Sequence, residues 1–161
     1  MLVLQSERLS LRDPTISDFV ALASYHSHDL YLEHYDQPPN TQKIIESAIN
    51  WATQTPRKNF QLIIELAGDN EVIGCAGLRQ DAYPKSEAEI GVEIHPHHWG
   101  KGYATESLSV LIELARSRGI LKLHALTDVS NNRAIGLTKK VGFEPAEFSH
   151  KIARLSLSLV G

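Results

Sequence analysis

Three carboxylates share one side of a strand-like run. In Glu87–Ile94 the residues Ala88, Ile90, Val92 and Ile94 point one way, while Glu87, Glu89, Gly91 and Glu93 point the other. An acidic row is unexpected in a sheet covered by helices on both faces, so this side either lines a cleft or is solvated. The cleft is favoured by the next stretch of chain, His97-His98-Trp99-Gly100-Lys101-Gly102-Tyr103-Ala104-Thr105-Glu106. Two glycines one residue apart allow a tight turn that exposes backbone N–H groups, and a helix starting there adds four more without internal partners. Such a socket suits phosphate oxygens, and a pyrophosphate-bearing ligand is the first expectation. A carboxylate beside the reactive end of that ligand could hold or deprotonate a cation.

The loop does not follow the common nucleotide fingerprints. Thr105 stands where the third glycine of a dinucleotide loop belongs, and the chain has no G-x-x-x-x-G-K-[ST] run. The histidines of His95-Pro96-His97-His98 are too contiguous for a tetrahedral metal site, and no metal is expected. Cys75, the one cysteine, follows Gly74 in an apolar strand and reads as core packing. No serine or cysteine has a convincing base beside it in sequence, so the residues do not point to a covalent intermediate.

The elements that must position these residues can be read in order. Leu2 to Arg12 reads as a first strand, stopped by Asp13-Pro14. Ser17 is expected to cap a short helix through Phe19, Leu22 and Ala23, and Thr41 a second helix with Ile44, Ile45, Ala48, Ile49 and Ala52 on one face. Between them, His26 to Asn40 is a loop or broken helix, rich in His and Tyr, of a kind that often flanks ligand sites. Within and beside it, Tyr25, His26, His28, Tyr31, His34 and Tyr35 could shape an acceptor pocket. Phe60–Leu66 and Val72–Leu78 form an antiparallel hairpin around Gly68-Asp69-Asn70. After the acidic strand and the glycine loop, a helix carries Ala104, Leu108, Leu111, Ile112 and Ala115, and Lys122–Thr127 returns as a parallel strand. A last helix through Ile135, Leu137, Thr138 and Val141 closes at Gly142, and Leu155, Leu157 and Leu159 alternate in a final strand.

At 161 residues the chain is read as one domain, 1–161, with ample core. Hydrophobic residues at 42% and charged ones at 22% describe a globular protein, and the net charge of -3 argues against general nucleic-acid binding. No membrane-length apolar run or signal peptide is apparent, so the expectation is a cytoplasmic protein without a membrane partner.

Three blocks in order carry a resemblance: Glu7-Arg8-Leu9-Ser10-Leu11-Arg12, then Ala88 to Pro96 with Trp99 to Glu106, then Asn131 with Lys140-Val141-Gly142-Phe143. Together they resemble the Gcn5-related N-acetyltransferase superfamily, and within it the branch of ribosomal-protein N-terminal acetyltransferases. The resemblance implies an α/β fold with a mixed central sheet, antiparallel in its N-terminal part and splayed between two parallel strands, with helices on both faces. It implies acetyl-CoA as donor. The pyrophosphate would lie on the main chain from His98 to Ala104, and the pantetheine arm would pair with Val92, Glu93 and Ile94. Asn131 would stand near that arm, while His97 replaces the family's usual Gln or Arg. The cofactor set is thus Val92, Glu93, Ile94, His97, His98, Trp99, Gly100, Lys101, Gly102, Tyr103, Ala104 and Asn131. Homodimers are common among relatives.

Two positions depart from the family. Thr138 replaces a tyrosine, and Ala134 a serine, that would protonate the departing thiolate; Asn131, Ser130 or water could substitute. The resemblance implies that the acceptor would be a primary amine on a protein or peptide N-terminus or on a small molecule such as a polyamine or aminoglycoside; a noncatalytic CoA-binding regulator is the competing class. Freeing a lysine-like amine of pKa about 10.4 of its proton at pH 7 costs about 4.6 kcal/mol, against about 1 kcal/mol for an α-amine near 7.8. A weak base therefore suffices for an N-terminus. Glu89 is the candidate base, direct or through water, with Glu87 and Glu93 next; alternatively these carboxylates only attract a cation. Backbone N–H groups around Val92 and Glu93 would polarise the thioester carbonyl if a bulge opens the strand there.

Overall fold

The computed structural model describes residues 1–160. Eight strands form one sheet, in the order β1-β2-β3-β4-β5-β6-β8-β7. The expected first strand is two: β1 (Val3–Gln5) and β2 (Leu9–Arg12) pair antiparallel across a turn in which Ser6 N–H donates to the Leu9 carbonyl. Thr15, not Ser17, then caps a 3-10 turn, exchanging a capping box with Asp18, and α1 (Phe19–His26) follows. One further turn of helix, α2 (Asp29–Leu32), interrupts the irregular segment, and Asn40, one residue before the expected cap, opens α3 (Thr41–Ala52).

Strands β3 (Asn59–Leu66) and β4 (Val72–Arg79) are the centre of the sheet, and their near-continuous apolar sequences are buried on both faces. Leu62, Ile64 and Ala76 enter the larger core, with Leu108, Leu111, Ile112 and Ala115 of α4 (Tyr103–Ser117). Ile63 and Cys75 point to the opposite face, against Leu22 and Tyr25 of α1 and Ile45 of α3. This alternation places helices on both faces, as the family resemblance implied.

Strand β5 (Glu87–Ile94) runs antiparallel to β4 and parallel to β6 (Lys122–Asp128). Its pairing with β6 covers only Glu87–Glu89 opposite Lys122–His124, although both strands continue. They therefore part beyond Glu89 and leave one edge of Ile90–Ile94 without a ladder partner. The β4–β5 register is unbroken from Gly74–Ile94 to Arg79–Glu89, so the bulge expected at Val92–Glu93 is not what opens the strand; the departure of β6 does that. Gly74 sits at the tightest approach, where a Cβ would lie 2.0 Å from the Glu93 carbonyl oxygen.

After α5 (Asn132–Lys140) the chain makes a strand that its sequence pattern does not announce. β7 (Glu144–Phe148) is exposed at every residue, which erases the alternation by which a strand is recognised. The last strand, β8 (Ile152–Ser158), inserts between β6 and β7 and buries Ala153 and Leu155.

Candidate active site

The parting of β5 and β6 opens a cavity of about 660 Å³ at the N-terminus of α4. Val92, Glu93 and Ile94 line it from the sheet, His98, Trp99, Gly100, Gly102, Tyr103 and Ala104 from the loop and helix start, and Asn131 from the β6–α5 connection. Gly100 and Gly102 have φ of +78° and +82°, the left-handed conformation that favours glycine. Gly102 is the N-cap and supplies no side-chain acceptor, so the first-turn N–H groups remain available to a ligand. Arg133, over Trp99, adds positive charge at this end, and Lys140 also lines the cavity.

Side chains brace this socket. Trp99 Nε1 donates to the Ile94 carbonyl at 2.8 Å, and the Arg133 guanidinium lies 3.8 Å above the Trp99 ring. Arg8, from the β1–β2 turn, donates to the Lys101 carbonyl at 2.8 Å and stacks 4.6 Å over Tyr103. Lys101 and His97 do not line the cavity. Lys101 contributes its carbonyl to Arg8, and the His97 ring stands 4.5 Å from His95 and 5.6 Å from His28. His95 accepts the His97 N–H, and His28 the Leu30 N–H, each through Nδ1. Among the described residues, no group of three or more potential metal ligands is arranged to hold an ion.

At the other end, the cavity wall is Leu30, Tyr31, Glu33, His34 and Tyr35 of α2 and the segment after it, with Ser130, whose Oγ lies 3.1 Å from His34 Nδ1. Glu93 is the carboxylate these elements converge on. Its Oε2 accepts from Tyr25 Oη at 3.0 Å, His26 Nε2 at 3.1 Å and Cys75 Sγ at 3.3 Å; its Oε1 accepts from Tyr31 Oη at 2.8 Å. Burial pushes the Glu93 carboxyl up, but the hydrogen bond and charge of His26 and the bonds from Tyr31 and Cys75 outweigh it and hold the pKa below the ordinary carboxylate value. Burial, reinforced by Glu93, pushes the Tyr31 hydroxyl and the Cys75 thiol up, so both stay protonated as donors. Tyr35 stacks on Tyr31 at 4.8 Å.

Glu87 and Glu89 do not reach this cavity. Glu89 lies 3.7 Å from Arg79 and Glu87 accepts from His124 Nε2 at 3.0 Å, on the part of the sheet where β5 and β6 are still paired. A hydrogen-bonded chain of Arg79, Gln61 and Cys75 connects that region to Glu93. Thr138 Oγ1 donates into its own helix, to the carbonyls of Ala134 and Ile135. Ser130 Oγ donates to Asp128 at 2.5 Å, and Asn131 Oδ1 accepts the Ala134 N–H as the cap of α5. The roles of Arg8 and Arg133 were not legible from sequence: each is an exposed side chain with no local pattern around it, acting across the fold on a half-buried aromatic ring.

Known proteins match this architecture. The acetyltransferase (GNAT) domain family matches residues 8–144. A Bacillus subtilis protein, the uncharacterized N-acetyltransferase YoaA, is 30% identical over 148 residues, covering 88% of this chain and 82% of its own. Among solved structures, a GNAT-family acetyltransferase from Bacillus anthracis superposes with a TM-score of 0.80 at 17% identity, over 98% of both chains. A ribosomal L7/L12 alpha-N-protein acetyltransferase solved in complex with coenzyme A gives 0.79 at 18% identity, again over 98% of both. With its splayed strands, its glycine-turned helix N-terminus and a family match spanning most of its length, the chain belongs to the GNAT family of acetyl-CoA-dependent acetyltransferases.

Proposed function

We propose that this protein transfers the acetyl group of acetyl-CoA directly to a primary amine, foremost the N-terminus of a protein or peptide. The observation that carries this reading is a single cavity with unlike ends, open backbone N–H groups and cations at one and an ionised carboxylate among aromatic rings at the other. The N–H groups at Gly102–Ala104, with Arg133 and Lys140, suit the phosphates of CoA, and the unpaired edge of Val92–Ile94 suits its amide-bearing arm. Acetyl-CoA supplies an activated thioester.

Glu93 is the acceptor's anchor in this reading. A carboxylate with a depressed pKa is a weak base but a good partner for an ammonium. That combination favours an α-amine, which loses its proton to water at pH 7 for about 1 kcal/mol, over a lysine-like amine at about 4.6 kcal/mol. The amine nitrogen bonds to the acetyl carbon, the C–S bond breaks, and the sulfur leaves with the bonding pair. A thiol is acidic enough for the sulfur to depart as thiolate. Ser130 and Thr138 are engaged elsewhere, so the nitrogen releases its second proton to water as the amide forms, and water delivers a proton to the departing thiolate.

A small polycation is the second reading, favoured by the absence of Lys and Arg from the acceptor-side wall. CoA release from acetyl-CoA, measured against short peptides with varied first residues, polyamines and aminoglycosides, tests both. Acceptor-dependent release with acetylation at the peptide α-amine is expected. Tight acetyl-CoA binding without release for any acceptor would instead identify a noncatalytic CoA-binding protein.

A further inference from the structure

His26 is only 2% exposed, and a polar ring so buried must find partners for its nitrogens. Nδ1 lies 2.7 Å from Thr41 Oγ1, in the first turn of α3, and Nε2 lies 3.1 Å from Glu93 Oε2. Facing an ionised carboxylate, Nε2 must carry its proton, because a lone pair there would be repelled. The imidazole therefore bridges α3 to the edge of β5.

The remaining groups facing the Glu93 carboxylate are neutral donors: Tyr25 from α1, Tyr31 from α2 and Cys75 from β4, with Tyr35 stacked behind Tyr31. Around His26 itself stand Thr41 and the rings of Tyr25 and Tyr31. His26 is thus the one contact of Glu93 that can bring a positive charge. The two carboxylate oxygens also differ. The donors to Oε2 come from Tyr25, His26 and Cys75, none of which lines the cavity, whereas Tyr31, the donor to Oε1, does. Oε1 is the oxygen on the cavity side.

We infer that His26, keyed by Thr41, is a positioning residue for the acceptor: it holds Oε2 of Glu93 from inside the protein so that Oε1 faces the incoming ammonium. This inference rests on the reading of Glu93 as acceptor anchor. Its consequence is that α1 and α3, which contribute no wall to the cavity, set the charge and direction of the acceptor site. A histidine that only filled space would affect stability and leave the titration of Glu93 unchanged.

Three variants separate these roles. His26→Leu keeps the bulk and removes the N–H, His26→Gln keeps an N–H donor, and Thr41→Val removes only the hydroxyl behind the ring. The readouts are amine KM, acetyl-CoA KM, the acid limb of kcat/KM, and the Glu93 titration followed by carbon-13 NMR of the carboxyl, which needs no turnover. For His26→Leu we expect amine KM to rise about tenfold with acetyl-CoA KM within about twofold, and both the acid limb and the Glu93 titration to move to higher pH. His26→Gln should recover most of the amine KM, and Thr41→Val should move the titration the same way by less, which keeps the test decisive if the leucine variant fails to fold. An unchanged Glu93 titration in His26→Leu and Thr41→Val, or equal impairment of the glutamine and leucine variants, would overturn the inference. If the wild type acetylates no amine, the acetyltransferase reading fails, and the NMR titration still decides whether His26 holds Glu93.

Discussion

The two ends of the cavity are built by different means. The cofactor end comes mainly from one contiguous stretch, Val92 to Thr105, and much of its chemistry is in the main chain: left-handed glycines, uncapped N–H groups and an unpaired strand edge. The acceptor end gathers side chains from α1, α2, β4 and β5 around Glu93, and its chemistry depends on which side chains they are. A main-chain socket tolerates replacement of its side chains, as His97 illustrates by standing outside the lining. It does not tolerate replacement of its glycines. The acceptor end should behave in the opposite way.

The largest effect should come where the two ends meet. Gly74→Val would push carbon into the Glu93 carbonyl, where even a Cβ finds only 2.0 Å, and should cost about 3 kcal/mol or more of stability, read as a lower midpoint in urea and loss of both substrates' binding. Next is Glu93→Gln, for which amine KM should rise about tenfold or more with acetyl-CoA KM nearly unchanged. Gly102→Ala should produce the mirror image: forcing a side chain to φ +82° costs about 1–2 kcal/mol, so acetyl-CoA affinity should fall about tenfold with little change in amine KM.

A smaller effect concerns the one side chain that helps shape the cofactor loop by accepting a backbone bond. Burial, together with His97, His28 and His98 nearby, pushes the His95 imidazole below its usual pKa, which keeps Nδ1 free to accept the His97 N–H. Because the folded pKa is lower than the unfolded one, this contribution is intact above the unfolded value near 6.5 and declines as pH falls below it. Acetyl-CoA KM should accordingly rise as pH falls through the lowered His95 pKa, and His95→Asn, whose amide oxygen accepts without titrating, should flatten that rise. Smallest of all is Arg8→Ala. The Arg8–Glu106 pair is 3.5 Å apart and Arg8 is exposed, so acetyl-CoA KM should change by about two- to threefold.

The same division explains what was legible in the sequence. Strand β5, the glycine loop and the start of α4 are consecutive in the chain, so their alternation and turn chemistry can be read without knowing the fold. The row of glutamates was legible as a row. Its ranking was not, because Glu89 and Glu93 share a face and only the divergence of β6 beyond Glu89 decides which one meets the cavity. Tyr25, His26 and Tyr31 were visible as an aromatic, histidine-rich segment without period, yet nothing local reveals that they converge on a residue more than sixty positions later. Strand β7, exposed throughout, and the split of β1 from β2 leave no signal in the sequence because edge strands lack the buried face that produces a pattern.

Titrating acetyl-CoA into the wild type, Glu93→Gln and Gly102→Ala, with amine KM measured on the same preparations, tests the two-ended cavity most directly. Glu93→Gln should bind acetyl-CoA like the wild type and lose its hold on the amine, and Gly102→Ala should do the reverse. Loss of acetyl-CoA binding in Glu93→Gln, with amine KM unchanged, would contradict the assignment of the two ends.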